Sequence, residues 1–234
     1  MQAKKNKSSS DSEYGGGAEH TSNARGSSKN MHEKGGLEIQ KIKEVKKRIL
    51  GDIEHRIRKK KIIIIINMRE FINRVVSITL RNKTYFQGVL INLSDDWCYL
   101  KYIPVDYIVD GFVLINRRYI ANIEMTDDDI FTENILKLKG IISEKNVKLD
   151  INNNVNLLLD LRSKIEIIKI ELKDHHKAYI GKINIIREHS VKIHLFSPNA
   201  TWLELGTFLY KEIRAIYFDD DYINSLKLIL PSII

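Results

Sequence analysis

The sequence predicts a mainly β protein with short helices (α+β): two tandem five-stranded small barrels, each followed by a short helix. Three observations lead there. Short segments alternate apolar and polar residues with the two-residue period of half-buried strands. One pattern of strands and turns occurs twice at a constant offset of 93 residues. An acidic helix start, Thr126-Asp127-Asp128-Asp129 or Asp219-Asp220-Asp221, follows each copy.

In the first copy, Val76, Ile78 and Leu80 alternate with Ser77, Thr79 and Arg81 to make a strand, and Asn82-Lys83-Thr84 turns the chain. A longer strand, Tyr85 to Leu93, carries Gly88 inside it. An interior glycine weakens a strand unless it permits a bend or a close backbone approach. Ser94-Asp95-Asp96 turns into the strand Trp97 to Tyr102. A loop through Pro104 and Asp110 leads to Phe112–Asn116, a tight turn at Arg117-Arg118 and a last strand, Tyr119 to Glu124. Gly88 and Gly181, Leu100 and Ile193, Ile120 and Ile213, and Ile123 and Ile216 all keep the offset of 93. Five short strands in about 50 residues leave exposed edges unless the sheet closes, so closure into a barrel is expected. The aspartate runs cap helices over Ile130–Lys139, which Gly140 ends, and over Tyr222–Leu230, before Pro231. Asp150 to Arg162 predicts a further helix between the copies.

Composition divides the chain. Of 38 Lys and Arg against 30 Asp and Glu, residues 1–67 hold 16 and 8, leaving 22 of each in 68–234. The net charge of +8 thus belongs to the leader. Residues 1–36 are polar, too poor in large apolar groups to fold, and are expected to be disordered. Residues 37–67 read as a basic helix and linker, with Ile39, Ile42, Val45, Ile49, Ile53 and Ile57 at helical spacing. Such a helix suits an anionic membrane or an RNA backbone. The runs Lys59-Lys60-Lys61 and Ile62 to Ile66 resemble translated AT-rich DNA, and translation is expected to begin at Met68. A first barrel with its helix is placed over 68–140, a linker with a short helix over 141–164, and a second barrel with its helix over 165–234. A single cysteine excludes a disulfide framework, no apolar run approaches a membrane span, and a cytoplasmic protein is expected.

The bent strands, the glycine in the second of them and the turn-linked final pair resemble the Sm-like (SH3-like) small β-barrel, over about 75–124 and 167–217. The chain is also similar to uncharacterised bacterial proteins with two such barrels. In Sm proteins an Asp and an Asn after strand two, and an Arg-Gly pair between the last strands, hold RNA bases. Here the corresponding positions carry Ser94 and Asp95, Cys98, Arg117-Arg118 and, in the second copy, Tyr210-Lys211. The base-reading set is therefore not carried over.

Candidate binding residues are few. Asn116, Arg117 and Arg118 form a basic turn able to hold phosphate, with Lys211 its counterpart. Lys101 and Tyr102 pair a cation with an aromatic ring, as in single-strand binding sites. Trp202, in the loop of the second copy, is an anchor for a protein partner. His175-His176, His189 and His194 lack the spacing of a metal site. Phosphate-binding glycine loops, nucleophile elbows and HExxH motifs are absent. The expectation is a non-catalytic binding or adaptor protein without cofactor or metal, taking a protein partner. The alternatives are an RNA-binding regulator using the basic turn and leader and, less favoured, an enzyme with a site between the barrels.

Overall fold

A computed structural model describes residues 40–41, 43–56, 68–174, 177–199 and 201–229. The chain divides into two units, Met1–Arg58 and Lys59–Ile234. In the first, residues 43–56 form a helix, α1, whose Val45, Ile49, Leu50 and Ile53 are exposed. The disorder expected over 1–36, the Ile62–Ile66 run and the His175-His176 pair lie outside the described residues.

The described residues of the second unit form ten strands. These are β1 Val75–Leu80, β2 Tyr85–Leu93, β3 Trp97–Ile103, β4 Phe112–Asn116, β5 Ile120–Glu124, β6 Ile168–Leu172, β7 Ala178–Ile186, β8 Ser190–Phe196, β9 Trp202–Leu209 and β10 Ile213–Phe218. Three helices accompany them: α2 Asp127–Leu138, α3 Asn154–Lys164 and α4 Asp221–Lys227. Single 3-10 turns, Arg117–Tyr119 and Tyr210–Glu212, link β4 to β5 and β9 to β10.

All the strands belong to one open antiparallel sheet in the order β5-β1-β2-β3-β4-β10-β6-β7-β8-β9. The expectation of two tandem closed five-stranded barrels is thereby corrected. Instead of each run of strands closing on itself, the edge of β4 pairs with the edge of β10, with Ile115 opposite Ala215, Leu114 opposite Ile216, Val113 opposite Tyr217 and Phe112 opposite Phe218. That joint satisfies the two backbone edges that closure would otherwise have had to satisfy. On either side of it, antiparallel ladders keep equivalent registers. Gly88 faces Tyr102 as Gly181 faces Leu195, and the β2·β3 and β7·β8 ladders shift at equivalent places, between Leu90 and Asn92 and between Ile183 and Ile185.

Close approach explains the strand glycines: a Cβ on Gly88 would lie 2.5 Å from the Lys101 carbonyl, and one on Gly181 would strike the His194 carbonyl. Gly111, just before β4, has φ +64°, and a Cβ there would come within 2.5–2.6 Å of the backbone of Phe218, Asp219 and Asp220. Only glycine lets the chain pass so close to the end of β10.

The helices lock onto the sheet at specific points. Thr126 caps α2 in a reciprocal capping box with Asp129. Asp129 is fully buried and also accepts hydrogen bonds from Ser77 Oγ and Gln87 Nε2, so its aspartate both starts the helix and docks it on β1 and β2. One turn on, Glu133 accepts from Arg74 Nε, Lys137 Nζ and the Val75 amide. The linker helix α3, started by Asn153, buries Leu157, Leu158 and Leu161 in a core cluster with residues of both runs, among them Trp97, Tyr99, Leu114, Ile168, Ile183 and Ile216. Full burial of each leucine contributes about 1.5–3 kcal/mol. Among the described residues no helix is long and apolar enough to cross a membrane.

Two outcomes follow from this packing. Gly111→Ala adds strain of about 2 kcal/mol and a backbone clash, and a thermal melt should show a fall of about 4–8 °C. Burial alone raises the Glu133 pKa, but the hydrogen bonds from Lys137, Arg74 and Val75 outweigh it and hold the carboxyl below the ordinary carboxylate value. A carboxylate depressed in the folded state stabilises above its unfolded pKa, and that stabilisation disappears as pH falls through the folded value. Denaturant unfolding of Glu133→Gln between pH 6 and pH 3, taken as roughly the carboxylate titration range, should show a shallower acid-side loss of stability than the parent chain.

Candidate functional site

The two 3-10 turns meet beside the joint. Asn116 is 8% exposed; its Nδ2 donates to the carbonyls of Tyr210 and Ile213, and its Oδ1 accepts from the Arg118 amide. Arg118 and Tyr119 both donate to the Lys211 carbonyl, at 3.3 and 2.6 Å. Tyr210 donates its hydroxyl to the Arg187 carbonyl and its amide to the His189 carbonyl. Together these contacts line a cleft of about 410 Å³, whose wall includes Asp96, Asn154, Glu188, Leu209 and Lys211. An adjoining hollow of about 260 Å³ is bounded by Asp95, Asp96 and Arg117.

Four of the seven candidate residues, Asn116, Arg117, Arg118 and Lys211, thus come together, although Lys211 lies 93 or more positions from the others. Their roles differ from those expected. Arg117 Nη1 donates to the Ser94 carbonyl at 2.7 Å, and the Arg117 amide donates to the Asp96 carbonyl. The arginines therefore close loops and cap backbone carbonyls. The cleft mixes Arg118, Lys211 and His189 with Asp96 and Glu188, so it is not a one-signed patch of the kind that draws phosphates.

The remaining candidates lie elsewhere. Lys101 is 3% exposed and donates from Nζ to the Ile141 carbonyl at 2.8 Å and to Glu144 at 3.3 Å. It pins the segment after α2 to β3. Tyr102 packs in an aromatic group with Phe86 and Tyr217. Burial, followed by the nearby charges of Glu171, Asp110 and Asp220, raises its pKa. Lys101 and Tyr102 consequently do not form an exposed cation–aromatic platform. Trp202 is the first residue of β9 instead of a loop residue, stacked on His194 at 4.6 Å and tilted against Phe196. Trp97 lies in the core with Nε1 donating to Asn154 Oδ1. Cys98 is wholly buried, and burial pushes its thiol up to about 12.

A feature missed in the sequence is the outer edge of β9. Among the described residues this strand of eight pairs with β8 alone. It exposes Leu203 at 47%, Leu205 at 44% and Leu209 at 38%. At the other end of the sheet, β5 exposes Ala121, Asn122 and Glu124. One open edge is apolar and the other polar. The signal in the sequence was three leucines at near-alternate positions, Leu203, Leu205 and Leu209, beside polar Glu204 and Thr207.

Charges on β10 and β6, and Asp220 just after β10, are paired, although the buried Arg214 keeps its Nε without a hydrogen-bond partner. Arg214 Nη2 meets Glu171 at 2.6 Å, Lys169 meets Asp220 at 2.6 Å, and Lys169 Nζ stands 4.4 Å above the Tyr217 ring. Burial, then the Glu171 charge, pushes the Tyr217 phenol strongly upward. Among the described residues no group of three or more His, Cys, Asp or Glu is placed to hold a metal ion.

The chain matches no protein-family model, no curated protein and no solved structure.

If Asn116 is a clamp between the turns, Asn116→Ala takes the side-chain partner from the Ile213 carbonyl and the Arg118 amide, while the Tyr210 carbonyl keeps the Ile213 amide. Unfolding by denaturant should report a loss of about 1–3 kcal/mol.

Proposed function

We propose that this chain is a non-catalytic binding protein that takes a protein partner along the open edge of β9. The observation that carries the reading is the combination of unpaired strand edge and exposed leucines. A free edge is a template for another strand, and main-chain hydrogen bonds there supply affinity while flanking side chains supply selectivity. Leu209 belongs to both the edge and the polar cleft, so an added segment extends from an apolar strip onto Arg118, Lys211, Asp96 and Glu188. Apolar contact with a polar rim is the composition of a protein interface.

RNA binding fits this surface less well. The arginine pair of the first turn is engaged with carbonyls, and Asp95 and Asp96 share its hollow. Segment 68–234 carries equal numbers of basic and acidic residues, which gives no general attraction to phosphate.

The test is purification from the native host, with and without nuclease, of the parent chain and of Leu205→Lys/Leu209→Lys. The expected result is a bound protein that survives nuclease, slows amide exchange over 202–209 and is lost from the double variant, with the variant's melting temperature held. Retention only without nuclease, or a steep fall of affinity with salt, overturns the reading in favour of nucleic acid.

A further inference from the structure

The sheet contains one edge-to-edge joint, and its free ends invite the thought that copies of the chain join in the same way, β9 to β5. Residue by residue the structure argues otherwise. With the ladder equivalence established above, β9 stands where β4 does and β5 where β10 does: Gly206 faces Ile193 as Val113 faces Leu100. The internal joint depends on Gly111, which passes within 2.5–2.6 Å of the backbone after β10. Glu204 occupies that position in the second run. It would push a full side chain against the Thr126–Asp127 backbone, beside the acidic start of α2. The joint is clamped by Asn116, whose counterpart is Leu209, and by Asp110, whose Oδ1 accepts from the Asp221 amide and whose counterpart is Leu203. Both polar clamps have become exposed leucines. On the β5 side, the buried Ala215 and Tyr217 are replaced by exposed Asn122 and Glu124. The free edges have lost the parts that the internal joint uses, so repeated head-to-tail addition is blocked.

What β9 matches is itself. We propose that two copies of this chain pair their β9 strands antiparallel about Gly206, extending the two sheets into one across a two-fold axis. This names the partner for the edge proposed above as the binding surface and rests on that reading. An antiparallel pair of identical edges is isologous and closes at two copies. In the register centred on Gly206, Leu203 of one copy lies opposite Leu209 of the other, twice, and Leu205 lies opposite Thr207. Glu204 then falls opposite Phe208, whereas a register two residues shorter sets Glu204 against Glu204, like charges face to face. The centred register thus sets each of the three exposed leucines beside a residue of the other copy and keeps the carboxylates apart.

The experiment uses the full chain. Sedimentation or light scattering from about 1 to about 100 µM covers the range in which modest self-association registers. The expected mass is twice 27.2 kDa, falling twofold to 27.2 kDa in Leu205→Lys/Leu209→Lys. In a second variant, Leu203→Cys/Leu209→Cys, mild oxidation should give a disulfide-linked dimer. The two positions within one strand are about 20 Å apart, too far to bridge each other, and the buried Cys98 does not compete. A monomer throughout, a dimer that persists in the lysine variant, an open series of masses rising with concentration, or no cross-link overturns the proposal. A monomeric parent chain that still holds a nuclease-resistant protein, lost from the lysine variant, overturns the dimer alone and leaves the edge as the binding surface. A monomer whose lysine variant retains its partner overturns both.

Discussion

The ladder between β4 and β10 is the constraint on which the rest of this protein depends. A run of five short strands has two edges, and each edge left in water is a row of backbone groups without a strand partner, and so a hazard. By pairing one edge from each run, the chain reduces four free edges to two and places Val113, Leu114, Ile115, Ala215 and Ile216 at zero exposure. The turns, the cleft and the linker helix all take their places from that pairing. Asn116 ties one turn to the other. The three leucines of α3 share a core with strands of both runs. The 410 Å³ cleft exists because two turns from distant parts of the sequence are brought side by side.

Much of this local structure was legible in the residues. The alternation at Val76–Leu80, the long strand around Gly88, the turn at Arg117-Arg118 and the capping by Thr126 and the aspartates all rest on interactions between near neighbours, and those set the pattern of side chains directly. Closure was not legible, because period-two alternation specifies which face of a strand is buried and leaves open which strand meets its edge. Gly111 held the decisive hint: a glycine before β4 whose position in the second run is Glu204. Its meaning emerges only once Asp219 and Asp220 are seen against it.

The same limit explains the candidate residues. Asn116, Arg117, Arg118 and Lys211 were chosen as a basic turn with its counterpart, and they do converge, but the first three donate to carbonyls that sequence spacing cannot locate, one of them the carbonyl of Lys211 itself. Lys101 reads as half of a stacking platform because its acceptors, the Ile141 carbonyl and Glu144, lie about 40 residues on. A lysine buried in a strand needs such partners, since an unpaired ammonium in the interior costs several kcal/mol. A polar side chain at a strand position is therefore an ambiguous sign, and only the tertiary partner distinguishes a clamp from a ligand contact.

The two remaining edges are treated unequally, and that asymmetry bears on function. β5 ends the sheet with Asn122 and Glu124, side chains that water solvates and that discourage another strand. At the opposite end, β9 has eight residues, three exposed leucines and no described element across its outer edge. Were both ends merely terminations, the same polar solution would serve for each. An apolar edge maintained in water favours strand addition and aggregation unless something covers it. Its place beside a polar cleft, on a sheet whose other end is protected, is the physical argument for the proposal that β9 is an interface and the rest of the sheet its support.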